Sequence, residues 1–279
     1  MIETRGFRIL RAVGLTFLSA LVILPLYVIL TTSIKPNTAV RGLFEWIPTE
    51  ITFQPYIDIW NTVPLAHYFM NSLIVTVSAT ACSVVLAILA AYAVARFDFP
   101  GVRQFRFAVL ATQMFPGILF LLPLFLIFSQ IKRGVGLELV GTHLGLVITY
   151  MTFSLPFSIW MLAGFFASIP RELEEAAMID GLGRWGALWR VVLPVARPGI
   201  VAVTVYCFIT AWSEVLFASV MANKSTRTLS IGLRAYASQT DVYWNQMMAA
   251  SVVISLPVLI AFLIVQRHLI SGLSAGAVK

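Results

Sequence analysis

One acid stands in the middle of an apolar run of this chain. Glu214 follows Trp212 and Ser213 in the run A-W-S-E-V-L-F, within a stretch long enough to cross a bilayer. Even on lenient insertion scales a charge near the bilayer centre costs about 3 kcal/mol, so this carboxylate must face other protein, where it is paired, protonated or wetted. Two roles meet that demand: a residue lining a transport pathway, or an interhelical hydrogen bond that fixes packing. Gln113, Tyr150 and Trp212 are the other candidates for a pathway wall or substrate contact, and amides and phenols also serve as glue between helices.

Other chemistries lack their residues. No G-x-x-x-x-G-K-[ST] loop occurs, so ATP is not bound in the P-loop manner. His67, His143 and His268 are far apart and no H-E-x-x-H pair exists, which makes them loop or interface residues rather than metal ligands. Cys82 and Cys207 lie in apolar runs and read as small core residues. Gly272, Ser274 and Gly276 spell the G-x-S-x-G of a hydrolase elbow, but the acid and histidine that should follow it are missing from the three residues left. We assign no catalytic residue and no metal site.

Of the 279 residues 59% are hydrophobic and 11% charged, against about 25% charged in soluble domains. The class is therefore an all-α membrane protein. A net charge of +7 does not imply nucleic acid, because the basic residues mark the ends of apolar runs instead of sharing one face. Six transmembrane helices are expected, at about 12–30, 71–95, 107–128, 142–166, 199–221 and 247–269. Asn71 or Ser72 is available to cap the second. Pro116, Gly117 and Pro123 place the third against protein, since freed backbone groups must be satisfied there. Gly141 and Gly145 form a G-x-x-x-G pair suited to close packing. Residues 31–68 and 222–245 form outer loops, the first with some interfacial helix. With both termini in the cytoplasm, 12 of the 19 Lys and Arg lie inside; the other seven are Lys35, Arg41, Lys132, Arg133, Lys224, Arg227 and Arg234.

One long polar passage interrupts the last two thirds. From Pro170 to Pro198 the chain reads P-R-E-L-E-E-A-A-M-I-D-G-L-G-R-W-G-A-L-W-R-V-V-L-P-V-A-R-P. Pro170 and the acids Glu172, Glu174 and Glu175 suit the start of a helix. Gly181 and Gly183 permit a tight turn, after which Trp185, Leu188, Trp189 and Val192 recur at helical spacing. The result is a helix-turn-helix hairpin whose first arm is small and acidic enough for another protein to grip. Its second arm carries an aromatic stripe for a bilayer or a helix bundle. Orientation by charge puts this hairpin in the cytoplasm.

E-A-A-M-I-D-G, nine residues, then V-V-L-P resembles the EAA loop of the membrane subunits of ABC importers. Glu175, Ala176, Ala177, Gly181, Leu193 and Pro194 fall on its defining positions, and Val191 stands where Ile is usual. A-Y-A-V-A-R-F-D-F-P-G, A-W-S-E and G-L-S-A-G-A-V-K are similar to the carbohydrate-importer subfamily, the MalG-like partner in maltose-type systems. Ser213 stands where Asn is common. The resemblance implies a type I importer permease in which residues 1–279 form a single transmembrane domain. It implies a second permease subunit, a dimer of ATP-binding subunits that holds ATP and Mg, an external solute-binding protein, and a sugar moved across the cytoplasmic membrane by alternating access. This chain would carry no cofactor. Residues 170–198 would couple to the ATPase through Glu175, Ala176, Ala177, Asp180, Gly181, Leu193 and Pro194. The outer loop 222–245 would meet the binding protein, and the C-terminal tail would reach toward the ATPase dimer. The rival class is an ion-coupled carrier or channel with Glu214 as its site.

Overall fold

The computed structural model describes residues 4–237 and 241–276, with 267–276 described as backbone. Fourteen α-helices follow one another among the described residues: α1 Arg5–Ser33, α2 Asn37–Val40, α3 Gln54–Thr62, α4 Leu65–Arg96, α5 Val102–Met114, α6 Leu121–Val135, α7 His143–Ser168, α8 Arg171–Ile179, α9 Arg184–Ala187, α10 Leu193–Val195, α11 Arg197–Trp212, α12 Leu216–Met221, α13 Leu229–Gly232 and α14 Trp244–Gly276. Five described helices are long and apolar enough to cross a membrane, and a sixth span forms if the bent segment from Arg184 to Trp212 counts as one. The all-α membrane class therefore holds.

Two expected spans are broken. The third stops at Met114, because Phe115 precedes Pro116 and is pushed into an extended conformation at ψ 135°. A short 3₁₀ turn, Gly117–Phe120, then leads into α6, which continues past Phe128 to Val135. Lys132 and Arg133 consequently lie in its last turn, where cations complement the helix dipole. The fifth span is interrupted at Ser213, Glu214 and Val215, between α11 and α12. Asn71 and Ser72 cap nothing, because α4 begins earlier, at Leu65.

The chain forms two compact units. One joins the residues up to Ala66 with Gly232–Leu256. Here the Tyr236 hydroxyl, fully buried, donates to the Ile59 carbonyl at 2.7 Å, and Asn245 Nδ2 donates to the Lys35 carbonyl at 3.1 Å. Lys35 is itself buried and donates from Nζ to the Glu45 carbonyl at 2.7 Å. The short helices α2 and α3 fulfil the expectation of helix in the first outer loop. Along α1 only Ser33 is buried.

The other unit, His67–Ile231 with the chain from Pro257 onward, contains the bundle proper. Its core has two successive parts. Tyr92, Leu162, Phe166, Leu188, Val192 and Val203 build one; Val75, Phe128, Leu146, Tyr150, Ala218 and Met221 build the other. Where lipid is the alternative to protein, apolar burial drives helix association weakly, and polar contacts matter more. Ser83 and Ser154 meet at 2.8 Å between α4 and α7, and Ser158 meets Cys207 Sγ at 3.2 Å between α7 and α11. Gly145 is required for a different reason from pairing within a G-x-x-x-G face. A Cβ there would lie 1.9 Å from the Leu139 carbonyl oxygen, so the turn before α7 rests directly on the helix backbone.

Candidate functional site

The hairpin forms where its glycine spacing predicts. Glu172 and Glu174 occupy the first turn of α8, at the positive end of its dipole. At the other end the Leu182 N–H donates to the Ala177 carbonyl at 3.0 Å and the Gly181 N–H to Met178 at 3.1 Å, which is the Schellman pattern. Gly181 sits at the left-handed position of that motif, with φ +91°. Its missing Cβ would touch nothing within 4 Å, so backbone conformation alone selects glycine there. Gly183, with φ −72°, is an ordinary extended N-cap of α9.

The two faces of α8 differ in chemistry. Glu175, Ala176, Ile179 and Asp180 are exposed, whereas Glu174 and Ala177 are buried. Ile179 is 86% exposed, an unusual state for an isoleucine beside a polar turn and one that suits a docking face. The Glu174 carboxylate accepts from the Tyr92 hydroxyl at 2.9 Å and pairs with the Arg96 guanidinium, which also donates to the Ile169 carbonyl at 3.0 Å. Sequence reasoning missed this cluster. It read Glu174 as one more acid at a helix start and Arg96 as a marker of an inner turn. The available signal was the spacing of Glu174 and Ala177, three apart and therefore on one helical face.

The second arm divides its stripe. Leu188 and Val192 are fully buried, but Trp185 and Trp189 are 66% and 62% exposed. The turn from Leu188 to Val192 is a π-helix and runs into Pro194, whose ring nitrogen cannot donate. Leu193 is half-buried against the core and Pro194 is exposed. At Ala196 the chain bends by 78° into α11.

At the break after α11 the Glu214 carboxylate accepts from the backbone N–H groups of Phe217 at 2.8 Å and Ala218 at 2.9 Å. It thus caps α12, a local role outside both sequence readings. Tyr150, buried on α7, has no partner in hydrogen-bond geometry for its hydroxyl, and the same holds for the Thr228 hydroxyl. Glu214 and Thr228 are the polar side chains close enough to act on Tyr150. Trp212 stacks on Phe208 at 5.7 Å between ring centres and meets Phe69 edge-on at 6.0 Å. Tyr150 and Glu214 are therefore brought together. Gln113 is not: it lies exposed on α5.

Residues 83–274 match the family described as the binding-protein-dependent transport system inner membrane component. The chain belongs to this family. The permease is 40% identical over 270 residues to the inner membrane ABC transporter permease protein YcjP of Escherichia coli (strain K12), covering 95% of this chain and 94% of that one. It is 37% identical over 260 residues to the trehalose transport system permease protein SugB of Mycobacterium tuberculosis (strain CDC 1551 / Oshkosh), covering 92% of each. Its fold is similar to that of a chain from a bacterial ABC transporter involved in the import of the acidic polysaccharide alginate. The TM-score is 0.79 at 23% identity, over 96% of this chain and 99% of the other. The protein is a multi-pass inner-membrane subunit of an ABC transporter, a permease and not an enzyme.

Away from the hairpin the permease carries a second polar hub. Asn71 Nδ2 donates to the carbonyls of Ser225 and Arg227, both at 2.9 Å, and Ser72 Oγ accepts from the Leu229 N–H at 2.8 Å. Because the Asn71 amide nitrogen is so engaged, its oxygen is the acceptor for His143 Nε2 at 2.8 Å. His67 Nε2 reaches the Ser225 carbonyl at 2.7 Å. His67 thus meets the loop directly, and His143 meets the Asn71 side chain that holds it; no group of metal-binding side chains occurs among the described residues of the permease. Cys207 is buried as expected, but Cys82 is exposed on α4. The side chains of His268 and of Gly272–Gly276, and the end of the tail at residues 277–279, lie outside the described residues.

Proposed function

We propose that this permease imports a sugar of the di- or oligosaccharide class by alternating access, driven by ATP hydrolysis on separate subunits. The observation that carries the mechanism is the division of α8: Glu175, Ala176 and Ile179 face outward from the bundle while Glu174 and Ala177 face into it. Such a helix can be held by another protein on one side and by the bundle on the other. The hairpin 170–198 is then the coupling element, with Asp180 and Gly181 shaping its turn, Leu193 seating its second arm and Pro194 exposed at the end of it. A dimer of ATP-binding subunits, with ATP and Mg, would hold the outward face, and the two termini and the hairpin would share the cytoplasmic side. The loop after α12 would meet an external solute-binding protein. Lipid and a second permease subunit would cover the exposed apolar flank of α1. Residues 1–279 would work as one transport domain, a reading supported by a family match that runs through both compact units.

The sugar class is supported by the trehalose permease among the relatives. Tyr150, Trp212 and Glu214 are the pathway candidates that lie together, an aromatic face beside polar side chains; Gln113 is a separate candidate on α5. Against the carrier reading stand the ABC permeases among the relatives, and Glu214 has a local role in accepting two backbone hydrogen bonds. Two assays decide the proposal. The cognate binding protein is titrated with a panel of mono- and disaccharides, and uptake of the tightest ligand is followed in cells. Uptake should stop on ATP depletion with the proton gradient maintained; persistence of uptake would reject the ATP-driven mechanism, and binding of no sugar would reject the substrate class.

A further inference from the structure

Most helices of membrane-spanning length among the described residues contain proline: Pro25 in α1, Pro123 in the span ending at Val135, Pro156 in α7 and Pro257 in α14. The bent segment from Arg184 to Trp212 contains Pro194 and Pro198. α4 is different. Its 32 residues, Leu65–Arg96, include neither proline nor glycine, the residues that kink helices or let them flex. Near each end it is fastened to another segment by polar side chains rather than by apolar contact.

The fastening near its C-terminus is Tyr92 and Arg96, one turn apart and both bonded to Glu174. Arg96 also holds the Ile169 carbonyl, so a single side chain ties together the ends of α4 and α7 and the start of α8. The Arg96 and Glu174 side chains are 7% and 8% exposed, and a buried charge that loses its partner is strongly disfavoured. Besides Glu174, Ala177 is the buried residue of α8. Apolar faces slide past one another, whereas a directional, charge-assisted bond holds register. α8 therefore cannot shift without drawing α4 with it.

The fastening near the N-terminus is Asn71 and Ser72, which hold Ser225, Arg227 and Leu229 by their backbones. His143 orients the Asn71 amide from α7. Asn71 and Arg96 are separated by roughly 37 Å at 1.5 Å rise per residue. A rigid helix of that length delivers a displacement at one end to the other.

We infer that α4 is a strut linking the hairpin to the loop 222–229: Tyr92 and Arg96 grip Glu174 at one end, and Asn71 and Ser72 grip the loop at the other. These are positioning residues. They link the state of the ATPase to the face proposed to meet the binding protein, so that docking of that protein is felt at the hairpin. The inference rests on the proposed partners of the hairpin and the loop.

The test uses the complete transporter in proteoliposomes with its ATP-binding subunits and its sugar-loaded binding protein. It reads co-purification of the ATP-binding subunits, basal hydrolysis, and stimulation of hydrolysis by the binding protein. Glu174→Gln and Asn71→Ala should each lower stimulation about tenfold while ATP-binding subunits co-purify in normal amounts. The double variant should be no worse than the more severe single one, because both interrupt one path. Exchanging the pair as Glu174→Arg with Arg96→Glu should restore part of the stimulation lost in Glu174→Gln. Val85→Gly, at an exposed mid-helix site that touches neither fastening, should also reduce stimulation, whereas Val85→Ala should not. Normal stimulation in Glu174→Gln or in Asn71→Ala, independent losses that multiply in the double variant, or equal effects of Val85→Gly and Val85→Ala would each overturn the strut. Loss of the ATP-binding subunits from Glu174→Gln would overturn it too, by moving Glu174 to the docking face. The underlying hairpin reading fails separately, if Glu175→Lys and Gly181→Val both leave those subunits attached.

Discussion

The carboxylate of Glu214 lies 2.9 Å from the backbone N–H of Ala218, four residues ahead, and closes the first turn of α12. It does the same for Phe217 with its other oxygen. The acid finds its first partners at the break in its own span, not on another helix. Each oxygen accepts from one otherwise orphaned N–H group, and the positive end of α12 favours the charge.

Replacing Glu214 separates capping from transport. Glu214→Gln keeps one acceptor oxygen and should lose about 1–2 kcal/mol, while Glu214→Ala leaves both N–H groups without a side-chain acceptor and should lose more. Thermal unfolding in detergent should rank wild type above Gln above Ala. Uptake should follow the same order; full uptake loss in Gln with an unchanged melting temperature would assign the charge to the pathway instead.

Gly181 is selected by φ alone, so substitutions there should follow the cost of the left-handed conformation and not side-chain size. Gly181→Asn should be mild and Gly181→Val should cost about 1–2 kcal/mol locally, enough to distort the turn. Retention of the ATP-binding subunits on an affinity column should fall in the order Gly, Asn, Val.

Gly145 is selected by space. With the Leu139 carbonyl 1.9 Å from the position of a Cβ, Gly145→Ala must displace the turn that precedes α7. A penalty of about 1–3 kcal/mol is expected from overpacking, visible as a lower melting temperature and reduced folded yield. Gly164, by contrast, has nothing within 4 Å of its Cβ position, and Gly164→Ala should be neutral or slightly stabilising.

Sidedness is open to direct labelling. In a background with Cys82→Ser, a cysteine placed at the exposed Glu175 should resist a membrane-impermeant maleimide in intact cells and react after permeabilisation. Reaction from outside would put the hairpin on the wrong side of the membrane for an ATPase partner.

The outline of the bundle was readable from local chemistry. Apolar runs located the spans to within a turn or two at most ends, and Thr142 caps α7 by accepting from the Gly145 N–H, where the fourth run was expected to begin. The errors came where an apolar run concealed a break. Pro116 was recognised as a disturbance inside one helix, yet its effect on Phe115 ends α5 altogether. Nothing in the apolar spacing of 199–221 separates a continuous helix from one that stops at Ser213 and restarts under a glutamate cap.

What this sequence determined by itself is whatever is settled within one or two helical turns: long apolar stretches that must cross or bury, prolines that remove a donor, and a glycine where the chain must turn left-handed. What the tertiary structure decided is which of two adjacent acids faces inward. Glu174 meets an arginine 78 residues earlier in the chain, while Glu175 beside it stays exposed. That choice depends on how α8 is rotated against the ends of α4 and α7, and rotation of a short helix is set by the groups across from it, not by its own residue types.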